Sequence, residues 1–571
     1  MSTHRTAAAD VIAPGAPHSE AAASAMPTLA RPSVLRPSLQ QVLLVLVLLG
    51  AALRLWQWGA EGSLWLDEIV LSRNILARSV GELVQYPLAF DQVAPLGFLA
   101  AVKLSTLAFG TGERALWLVP LLGGLAGLLL FRRLAERALR GAAAPLAMAL
   151  FALALSMIRY SAEVKQYGLD ATAAVGLTLL ALDLRARDRS IGRLVLSGGA
   201  GLAVIWFSQA SVIVMAGLGA ALAVAWIIER DRRTLRALLV TMPIWAAASL
   251  GALLIGNRSM TPATRAFMND FWRGGFLPMP PRLSTAGPWL WRRLPELFSD
   301  PWTLRYPVAW VFALLALIGI AALWRQRRDA ALLIAAPFVM TLIAAIAQQY
   351  PFRTRLVVFL VPSAILAAAA GAGWIADAAA RRSRLAGVFV IVAVLTPPLL
   401  AIADARLPSR VDNYKPLYTH LQANRRPGDA VYVSFLANSS AIYYGPRYGL
   451  RPGEYHLGAC DRNDTRAYVR DFDRFRGRSR VWVLSRNGPV MLVPREAIHR
   501  YLNTIGILRD SRVVRSGVTD PLTLELYDLS DPARLSAASA ETVAVAPMPV
   551  YPTPGCRDWT GDPHLIARPR R

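Results

Sequence analysis

The chain is short of charged residues and of cysteines. Asp, Glu, Lys and Arg make up 17% of its 571 residues, 55% are hydrophobic, and there are two cysteines. This composition excludes an ordinary soluble fold and indicates a polytopic membrane protein. None of the six histidines lies in 59–114, and no Cys or His residues have zinc spacing, which excludes a zinc site of the usual Cys and His type.

Acidic residues are scarcer than basic ones. The chain has 37 Asp and Glu against 62 Lys and Arg, a formal net charge of +25. In a soluble protein this excess would suggest nucleic acid as a partner, but here the Arg residues fall in short clusters between apolar runs. That arrangement is the positive-inside pattern of integral membrane proteins. We therefore expect a lipid bilayer, and no nucleic acid, as its partner.

Apolar runs recur along the chain, each near the ~20 residues that a spanning helix needs. The first, 41–58, follows two Arg residues and reads as an uncleaved span. Ten more follow, at 115–131, 142–158, 168–184, 194–207, 210–228, 237–256, 307–324, 330–347, 356–375 and 385–403. The pattern predicts about eleven transmembrane helices.

The run 94–110 decides the topology. It carries Lys103 at its middle, and if it does not cross, five Arg clusters lie on the same side as the N-terminus. The Lys and Arg bias of short loops then makes that side cytoplasmic. We interpret 94–110 as an interfacial helix. In a bacterial inner membrane, the loops 59–114 and 257–305 would then be periplasmic.

Three regions are predicted. Residues 1–37 are rich in Ala, Ser and Pro, which indicates a disordered cytoplasmic tail. A transmembrane domain covers 38–405. Residues 406–571 alternate helix-like segments with strand-like ones at 430–435, 481–484 and 522–527, which predicts a periplasmic α/β domain. This domain holds Cys460 and Cys556, which a periplasmic location would allow either to pair or to remain separate thiols.

Two adjacent carboxylates, Asp67 and Glu68, follow the first apolar run. Charge at a membrane face is costly unless it serves a function. Asp91 lies in the same predicted loop, and Asp170 lies inside an apolar run. The loop 257–305 combines Arg with Trp residues, a composition typical of segments that lie on lipid headgroups.

Four motifs occur in order along the first third of the chain: Ser-Leu-Trp-Leu-Asp-Glu at 63–68, Phe-Asp-Gln-Val-Ala-Pro-Leu at 90–96, Phe-Gly-Thr-Gly-Glu-Arg-Ala-Leu at 109–116, and Tyr-Ser-Ala-Glu-Val-Lys-Gln-Tyr-Gly-Leu-Asp at 160–170. In order and spacing they resemble the GT-C superfamily of membrane glycosyltransferases. The likeness is to the branch with protein O-mannosyltransferases, the aminoarabinose transferase of lipid A and bacterial lipopolysaccharide glycosyltransferases. One departure is Asp-Gln-Val-Ala-Pro at 91–95, where the commoner pattern has two adjacent prolines.

The resemblance implies a GT-C fold and an inverting glycosyltransferase. Such an enzyme moves a sugar from a polyprenyl-phosphate donor to a lipid, polysaccharide or protein acceptor of the cell envelope. It also implies roles for nine residues. Asp67 would be the general base, with Glu68 and Asp91 as further catalytic carboxylates; Lys165, Arg353 and Arg355 would bind the donor phosphate; and Gln92, Tyr167 and Asp170 would bind sugar.

Each role has a plainer alternative. Asp67 and Glu68 could also be ordinary acidic residues at the solvated start of a helix. Asp91, which precedes a proline, could also be a helix cap. Asp170 pairs equally well with Arg159 or Lys165, and arginines at the end of a span are often interface anchors. A metal, if used, would be held by Asp67 and Asp91, which suits Mg²⁺ or Mn²⁺.

Two other classes of function stay open. A transporter or flippase of lipid-linked sugars would show polar residues along several spans and pseudo-symmetric halves, and neither feature is evident here. A non-catalytic subunit of an envelope glycan assembly would keep the fold without needing Asp67 or Asp91.

Overall fold

The structure is a computed structural model that describes residues 38–258, 260–458, 464–486, 492–515 and 521–545. The predicted tail 1–37 and both cysteines, Cys460 and Cys556, lie outside the described residues. Helices dominate the part up to residue 405, and a small mixed sheet with surrounding helices follows it.

The membrane region up to the second large loop contains α1 (Leu39–Gly59), α2 (Leu66–Ala77), α3 (Val80–Gln85), α4 (Leu96–Phe109), α5 (Glu113–Ala138), α6 (Ala143–Leu153), α7 (Leu155–Arg159), α8 (Tyr167–Ala186), α9 (Ile191–Ile205), α10 (Ser211–Glu229) and α11 (Arg232–Arg258). It continues with α12 (Pro262–Phe271), α13 (Leu283–Ser299), α14 (Tyr306–Gln326), α15 (Arg328–Ile346), α16 (Val361–Ala380) and α17 (Arg384–Ala405).

The C-terminal region contains α18 (Lys415–Asn424), β1 (Ala430–Val433), α19 (Asn438–Tyr444), β2 (His456–Leu457), α20 (Thr465–Arg470), β3 (Val481–Arg486), α21 (Leu492–Ile505), β4 (Ile507–Val514), β5 (Leu522–Asp528) and α22 (Pro532–Leu535).

The chain is a multi-pass helical membrane protein, as predicted. Among the described residues, nine helices are long and apolar enough to span a membrane, and the bent pair α6–α7 makes a tenth candidate. The remaining predicted span corresponds to α9, an apolar helix of 15 residues. Its length of about 22 Å, at 1.5 Å per residue, is short for a crossing.

The break between α6 and α7 is stabilised by a buried arginine. The two helices meet at 51° at Ala154, whose backbone is extended. Arg54 of α1 is 1% exposed and donates hydrogen bonds to the carbonyl oxygens of Gly50 (3.0 Å) and Phe151 (3.4 Å). Its guanidinium also lies 5.5 Å from the centre of the Phe151 ring. A cation at membrane depth is costly, and here it satisfies a carbonyl near the interruption of the helix.

The first loop, between α1 and α5, has no helix of spanning length among its residues, all of which the structure describes. Its longest helix, α4, has 14 residues, which is short for a span and agrees with the predicted interfacial helix. The amide of Gly97 in α4 donates to the Trp206 carbonyl at 2.8 Å, and a Cβ on Gly97 would lie 2.7 Å from that oxygen. Glycine therefore permits the close approach of α4 to the chain after α9.

The first loop and the C-terminal region share one hydrophobic core. Phe98 of α4 and Ile69 of α2 belong to the same buried cluster as Tyr418 of α18 and Trp482 of β3. Both regions therefore lie on one face of the membrane. This arrangement requires an even number of crossings between them, which is satisfied when α9 and the α6–α7 pair each cross once.

The C-terminal sheet has the strand order β2-β1-β3-β5-β4. Strands β2, β1 and β3 are parallel, whereas β5 runs antiparallel to both β3 and β4. The strand-like segments that we predicted at 430–435, 481–484 and 522–527 correspond to β1, β3 and β5. Strands β2 and β4 were not predicted, because β2 has two residues and β4 carries charged residues on an edge.

We expect the first loop to be periplasmic and the α5–α6 turn to be cytoplasmic, because this orientation places the Arg clusters inside. In a cysteine-free background, Val84→Cys and Arg140→Cys provide exposed positions in these two segments. A membrane-impermeant maleimide applied to the periplasmic side of intact cells should label Val84→Cys, and should label Arg140→Cys only after lysis. The opposite pattern, or labelling of both from one side, would show that the orientation is wrong.

Candidate active site

Asp67 lies in the first turn of α2 and pairs with an arginine from a distant part of the chain. Its Oδ2 is 2.9 Å from Nη2 of Arg355, and both side chains are partly exposed, 22% for Asp67 and 28% for Arg355. No hydrogen bond to the Asp67 Oδ1 occurs among the described residues. The carboxylate is therefore held through one oxygen while the side chain stays accessible, which suits a group that must meet a substrate.

Two tryptophans hold the Arg355 guanidinium in place. The centres of the Trp65 and Trp272 rings both lie 5.4 Å from its central carbon. Cation–π contacts of this kind favour a guanidinium over an ammonium group. Trp65 immediately precedes α2, whereas Trp272 follows α12 in the loop 257–305. This second loop thus reaches the Asp67 site, which agrees with its predicted position at the membrane interface.

A strained residue separates Arg353 from Arg355. Thr354 has φ = 43°, a left-handed conformation that a β-branched residue rarely adopts. A Cβ on Gly274 would lie 2.8 Å from Nη1 of Arg353, so Arg353 packs against the turn after α12. Burial, together with the positive charge of Arg353, lowers the pKa of Arg293 to about 10. The strained turn therefore places Arg355 on Asp67 and Arg353 near Arg293, whose guanidinium pairs with Glu296.

Lys165 and Gln92 meet on the other side of Asp67. Lys165 is buried, and its Nζ donates to Oε1 of Gln92 at 2.6 Å. Burial lowers the pKa of Lys165, and the negative charge of Asp67 opposes that shift. Gln92 in turn donates from Nε2 to the Phe90 carbonyl at 3.1 Å. The predicted phosphate-binding lysine and the predicted sugar-binding glutamine are therefore in direct contact.

Asp91 lies on a strained turn and contacts the second loop. Phe90 and Asp91 have φ values of 63° and 51°, and strain of this kind at two successive residues often marks a functional segment. Oδ1 of Asp91 accepts a hydrogen bond from the Thr264 hydroxyl of α12 at 2.7 Å. The helix-cap alternative is not what the structure shows, because the cap position of α4 is Pro95 and has no side-chain hydrogen bond.

Glu68 is buried, and its contacts agree with a positioning role; its catalytic role stays a prediction. Its carboxylate is 3% exposed and accepts hydrogen bonds from the Trp117 indole (2.8 Å), the Val164 amide (2.7 Å) and the Trp65 amide (3.2 Å). The Trp65 indole donates to Glu163 at 3.1 Å. Burial raises the pKa of Glu68, and the negative charge of Glu163 adds to the shift. Glu68 thus joins α2 to the segment that carries Lys165.

Tyr167 and Asp170 lie at the start of α8 and are both buried. The Tyr167 ring meets the Tyr160 ring edge-on at 5.4 Å. Asp170 lies beside the Ser208 hydroxyl and the Ala210 amide, and it makes no ion pair with Arg159 or Lys165 within the described ranges. The salt-bridge alternative is therefore not present. One Asp170 oxygen is buried with no hydrogen bond from any described residue.

The divalent cation that the sequence allowed would have to be held by Asp67 and Asp91. Among the residues that the structure describes, no three His, Cys, Asp or Glu side chains are grouped to hold a metal ion. Asp67 is engaged by Arg355 and Asp91 by Thr264, so the two candidate ligands have cationic and hydroxyl partners instead. The chemistry below is therefore derived from side chains alone.

Several residues at the site were not predicted. Trp65 lies in the motif at 63–68, two residues before Asp67. That position could have indicated that Trp65 belongs to the site. Thr264, Trp272 and Arg293 come from the loop 257–305, and only the folded chain brings them to α2.

No family model matches the chain, and no curated protein matches it. The structure is similar to the crystal structure of ArnT from Cupriavidus metallidurans in the apo state, with 14% identity, a TM-score of 0.47, and coverage of 86% of this chain and 98% of that chain. It is also similar to the oligosaccharyltransferase AglB from Archaeoglobus fulgidus in complex with an inhibitory peptide and a dolichol-phosphate. That match has 13% identity, a TM-score of 0.44, and coverage of 81% of this chain and 70% of that chain.

A second ArnT structure from the same bacterium, bound to undecaprenyl phosphate, has 14% identity, a TM-score of 0.44, and coverage of 85% of this chain and 97% of that chain. These likenesses agree with the resemblance seen in the sequence motifs. At such low identity and with TM-scores below 0.5 they carry no functional argument of their own.

We expect Glu68→Gln to lower stability by about 1–3 kcal/mol, because the amide group places hydrogens where the carboxylate accepts three N–H bonds. The pKa of Glu68 is higher in the folded protein than in the unfolded chain. The protonated carboxyl therefore stabilises the fold at acid pH, and this stabilisation is lost as the pH rises through the raised pKa. The melting temperature of the wild type should therefore fall as the pH rises above the ordinary carboxyl range, and fall less in Glu68→Gln.

The matched control is Glu61→Gln, which changes an exposed carboxylate of the same loop. Thermal unfolding in detergent between pH 5 and pH 9 provides the measurement. Equal melting curves for Glu68→Gln and Glu61→Gln would contradict the positioning role of Glu68.

Proposed function

We propose that the protein is an inverting glycosyltransferase that moves a sugar from a polyprenyl-phosphate donor to a cell-envelope acceptor at the external face of the membrane. The observation that carries the proposal is the Asp67 site. It joins an accessible carboxylate to Arg355, with Lys165 and Arg353 close by. The four motifs also resemble the GT-C pattern in order and spacing, with the departure at 91–95.

Asp67 has the position that a general base requires. A hydroxyl is a weak nucleophile, so a carboxylate must take its proton as the new bond forms. With Oδ2 on Arg355, the Oδ1 of Asp67 is the oxygen that accepts the proton. The acceptor oxygen then bonds to the anomeric carbon, and the bond from that carbon to the donor phosphate breaks. A single displacement of this kind inverts the anomeric carbon.

The basic residues have the complementary task. The electron pair of the broken bond stays on the lipid phosphate, which gains negative charge as it leaves. Lys165, Arg353 and Arg293 stabilise that charge, because fixed cations in a partly buried site act strongly on charge that develops in the transition state. The strained turn at Thr354 holds Arg353 ready for this before the donor binds.

Undecaprenyl phosphate, which one of the similar structures contains, is the lipid carrier to test first. The sugar is assigned only as a hexose or pentose, and the acceptor as a lipid, polysaccharide or protein. An inner-membrane location with the site in the periplasm follows from the Arg distribution.

We expect Asp67→Asn to lower turnover of a polyprenyl-phosphate sugar by ~10²–10⁴, because the amide keeps the shape of the side chain and loses its basicity. Binding of the donor lipid should persist. The measurement is transfer by the purified protein in nanodiscs, together with donor binding by the same preparation. Glu61→Gln, in the same loop but exposed, should turn over at the wild-type rate.

Asp91→Asn gives a contrasting result, since Asp91 connects the two loops through Thr264. It should raise the apparent KM more than it lowers kcat. If Asp67→Asn folds and keeps near-normal turnover, the catalytic assignment fails. A transporter of lipid-linked sugars or a non-catalytic subunit would then explain the protein better.

A further inference from the structure

The segment between α3 and α4 is held against α2 by a buried asparagine. Asn74 of α2 is 0% exposed. Its Nδ2 donates to the Ala89 carbonyl at 3.2 Å, and its Oδ1 accepts a hydrogen bond from the Ala89 amide at 2.9 Å. One side chain thus makes both of the hydrogen bonds that a neighbouring strand would make to Ala89.

A second side chain holds the same segment two residues earlier. Arg78 follows the last residue of α2 and is buried, and its Nη1 donates to the Pro87 carbonyl at 2.8 Å. Pro87 lies at Arg78 and Ala89 lies at Asn74, so the segment runs antiparallel to α2. It therefore approaches the end of α2 that carries Asp67.

The held segment leads into the strained turn at 90–92. Phe90 and Asp91 have φ values of 63° and 51°, and such conformations persist only where the surrounding structure holds them. Asn74 fixes the residue before the turn through both of its backbone groups. The guanidinium of Arg73 lies 4.6 Å from the centre of the Phe90 ring. The contacts that hold the turn therefore come from α2.

The turn carries two residues of the candidate site. Asp91 accepts a hydrogen bond from the Thr264 hydroxyl at 2.7 Å, and Gln92 accepts one from Nζ of Lys165 at 2.6 Å. Gln92 also donates to the Phe90 carbonyl at 3.1 Å, so its position depends on the turn. A shift of the turn would therefore separate Gln92 from Lys165.

One helix sets the distance between this turn and Asp67. Asn74 and Asp67 are seven residues apart in α2, which places them on one face and about 10 Å apart along the helix axis. Nδ2 of Asn74 also donates to the Val70 carbonyl at 2.8 Å, one turn back toward Asp67. The candidate general base and the turn with Gln92 are thus attached to the same rigid element.

We propose that Asn74 is a positioning residue, which together with Arg78 holds the turn 90–92 at a fixed distance from Asp67. The role rests on the proposed function, in which Lys165 binds the donor phosphate and Asp67 takes the proton of the acceptor. The reacting atoms must lie about 3–3.5 Å apart for transfer, so the two groups must be held in one geometry. Because Asn74 is 0% exposed, it acts only through the turn.

Hydrogen–deuterium exchange of the full-length protein in nanodiscs, with no substrate present, tests whether Asn74 holds the segment. In Asn74→Ala the peptide that covers 86–92 should exchange about tenfold or more faster, since the loss of one buried hydrogen bond corresponds to about that factor. The matched control is Thr241→Val, which removes another buried hydrogen bond between two elements, from Oγ1 of Thr241 to the Leu194 carbonyl at 3.0 Å. The control should leave exchange at 86–92 unchanged.

Binding of undecaprenyl phosphate to the same preparations tests the positioning role. Asn74→Ala should weaken binding about tenfold, because Lys165 loses the contact that orients it. In sugar transfer the variant should raise KM more than it lowers kcat, as we expect for Asp91→Asn. A loss of folded protein alone would change neither the Kd nor the KM, and Thr241→Val should keep both.

Melting temperatures identify any variant that fails to fold. Arg78→Met then replaces Asn74→Ala, since it keeps the apolar stem of the side chain and removes only the donor to Pro87. It should give the same changes to a smaller extent.

Three results would overturn the proposal. They are exchange at 86–92 that matches the wild type in folded Asn74→Ala, unchanged Kd and KM in that variant, and equal losses in Thr241→Val. Failure of the proposed function gives a different result. The wild type would then neither bind undecaprenyl phosphate nor transfer sugar, although exchange at 86–92 would still rise in Asn74→Ala.

Discussion

The Asp67–Arg355 ion pair is the interaction on which the arrangement of the candidate site depends. It joins the start of α2 to the turn before α16, two segments almost 300 residues apart in the chain. Of the two tryptophans in contact with the guanidinium, Trp65 directly precedes α2 and Trp272 comes from one further segment, after α12. A partly exposed ion pair alone contributes little stability. Because the Arg355 guanidinium also contacts two indole rings, the main effect of the ion pair is to fix the direction of the Asp67 carboxylate.

Buried polar groups hold the segments around the Asp67 carboxylate in place. Glu68 and Glu163 are buried carboxylates that use the Trp65 amide and indole as donors. Arg54 satisfies a carbonyl close to the break between α6 and α7, the span that leads to Glu163. These buried polar groups cost desolvation energy, and they are retained where they position loops at the membrane face.

The sequence analysis anticipated the architecture well and the site only in part. Apolar runs are long, local signals, so the spans could be predicted, whereas the interfacial position of α4 stays a prediction. The motifs brought attention to Asp67, Lys165 and Arg355, which the structure indeed places near one another. Adjacent residues on a helix point in different directions, and here Asp67 is partly exposed whereas Glu68 is buried.

Contacts between distant segments could not be predicted. Nothing in the sequence near Thr264 or Trp272 indicates that they meet Asp91 and Arg355. The shared core of the first loop and the C-terminal region was also not expected, since 406–571 reads as a separate domain. The contact runs through α19 of the C-terminal region, which packs against α2 of the first loop.

The account is tested most directly by an experimental structure of the protein with a non-hydrolysable polyprenyl-phosphate sugar analogue. It predicts that the phosphate contacts Arg353 and Lys165, and that Asp67 faces the anomeric carbon from the side opposite the phosphate. A phosphate bound elsewhere, or an Asp67 carboxylate that cannot reach the acceptor side of the sugar, would contradict it.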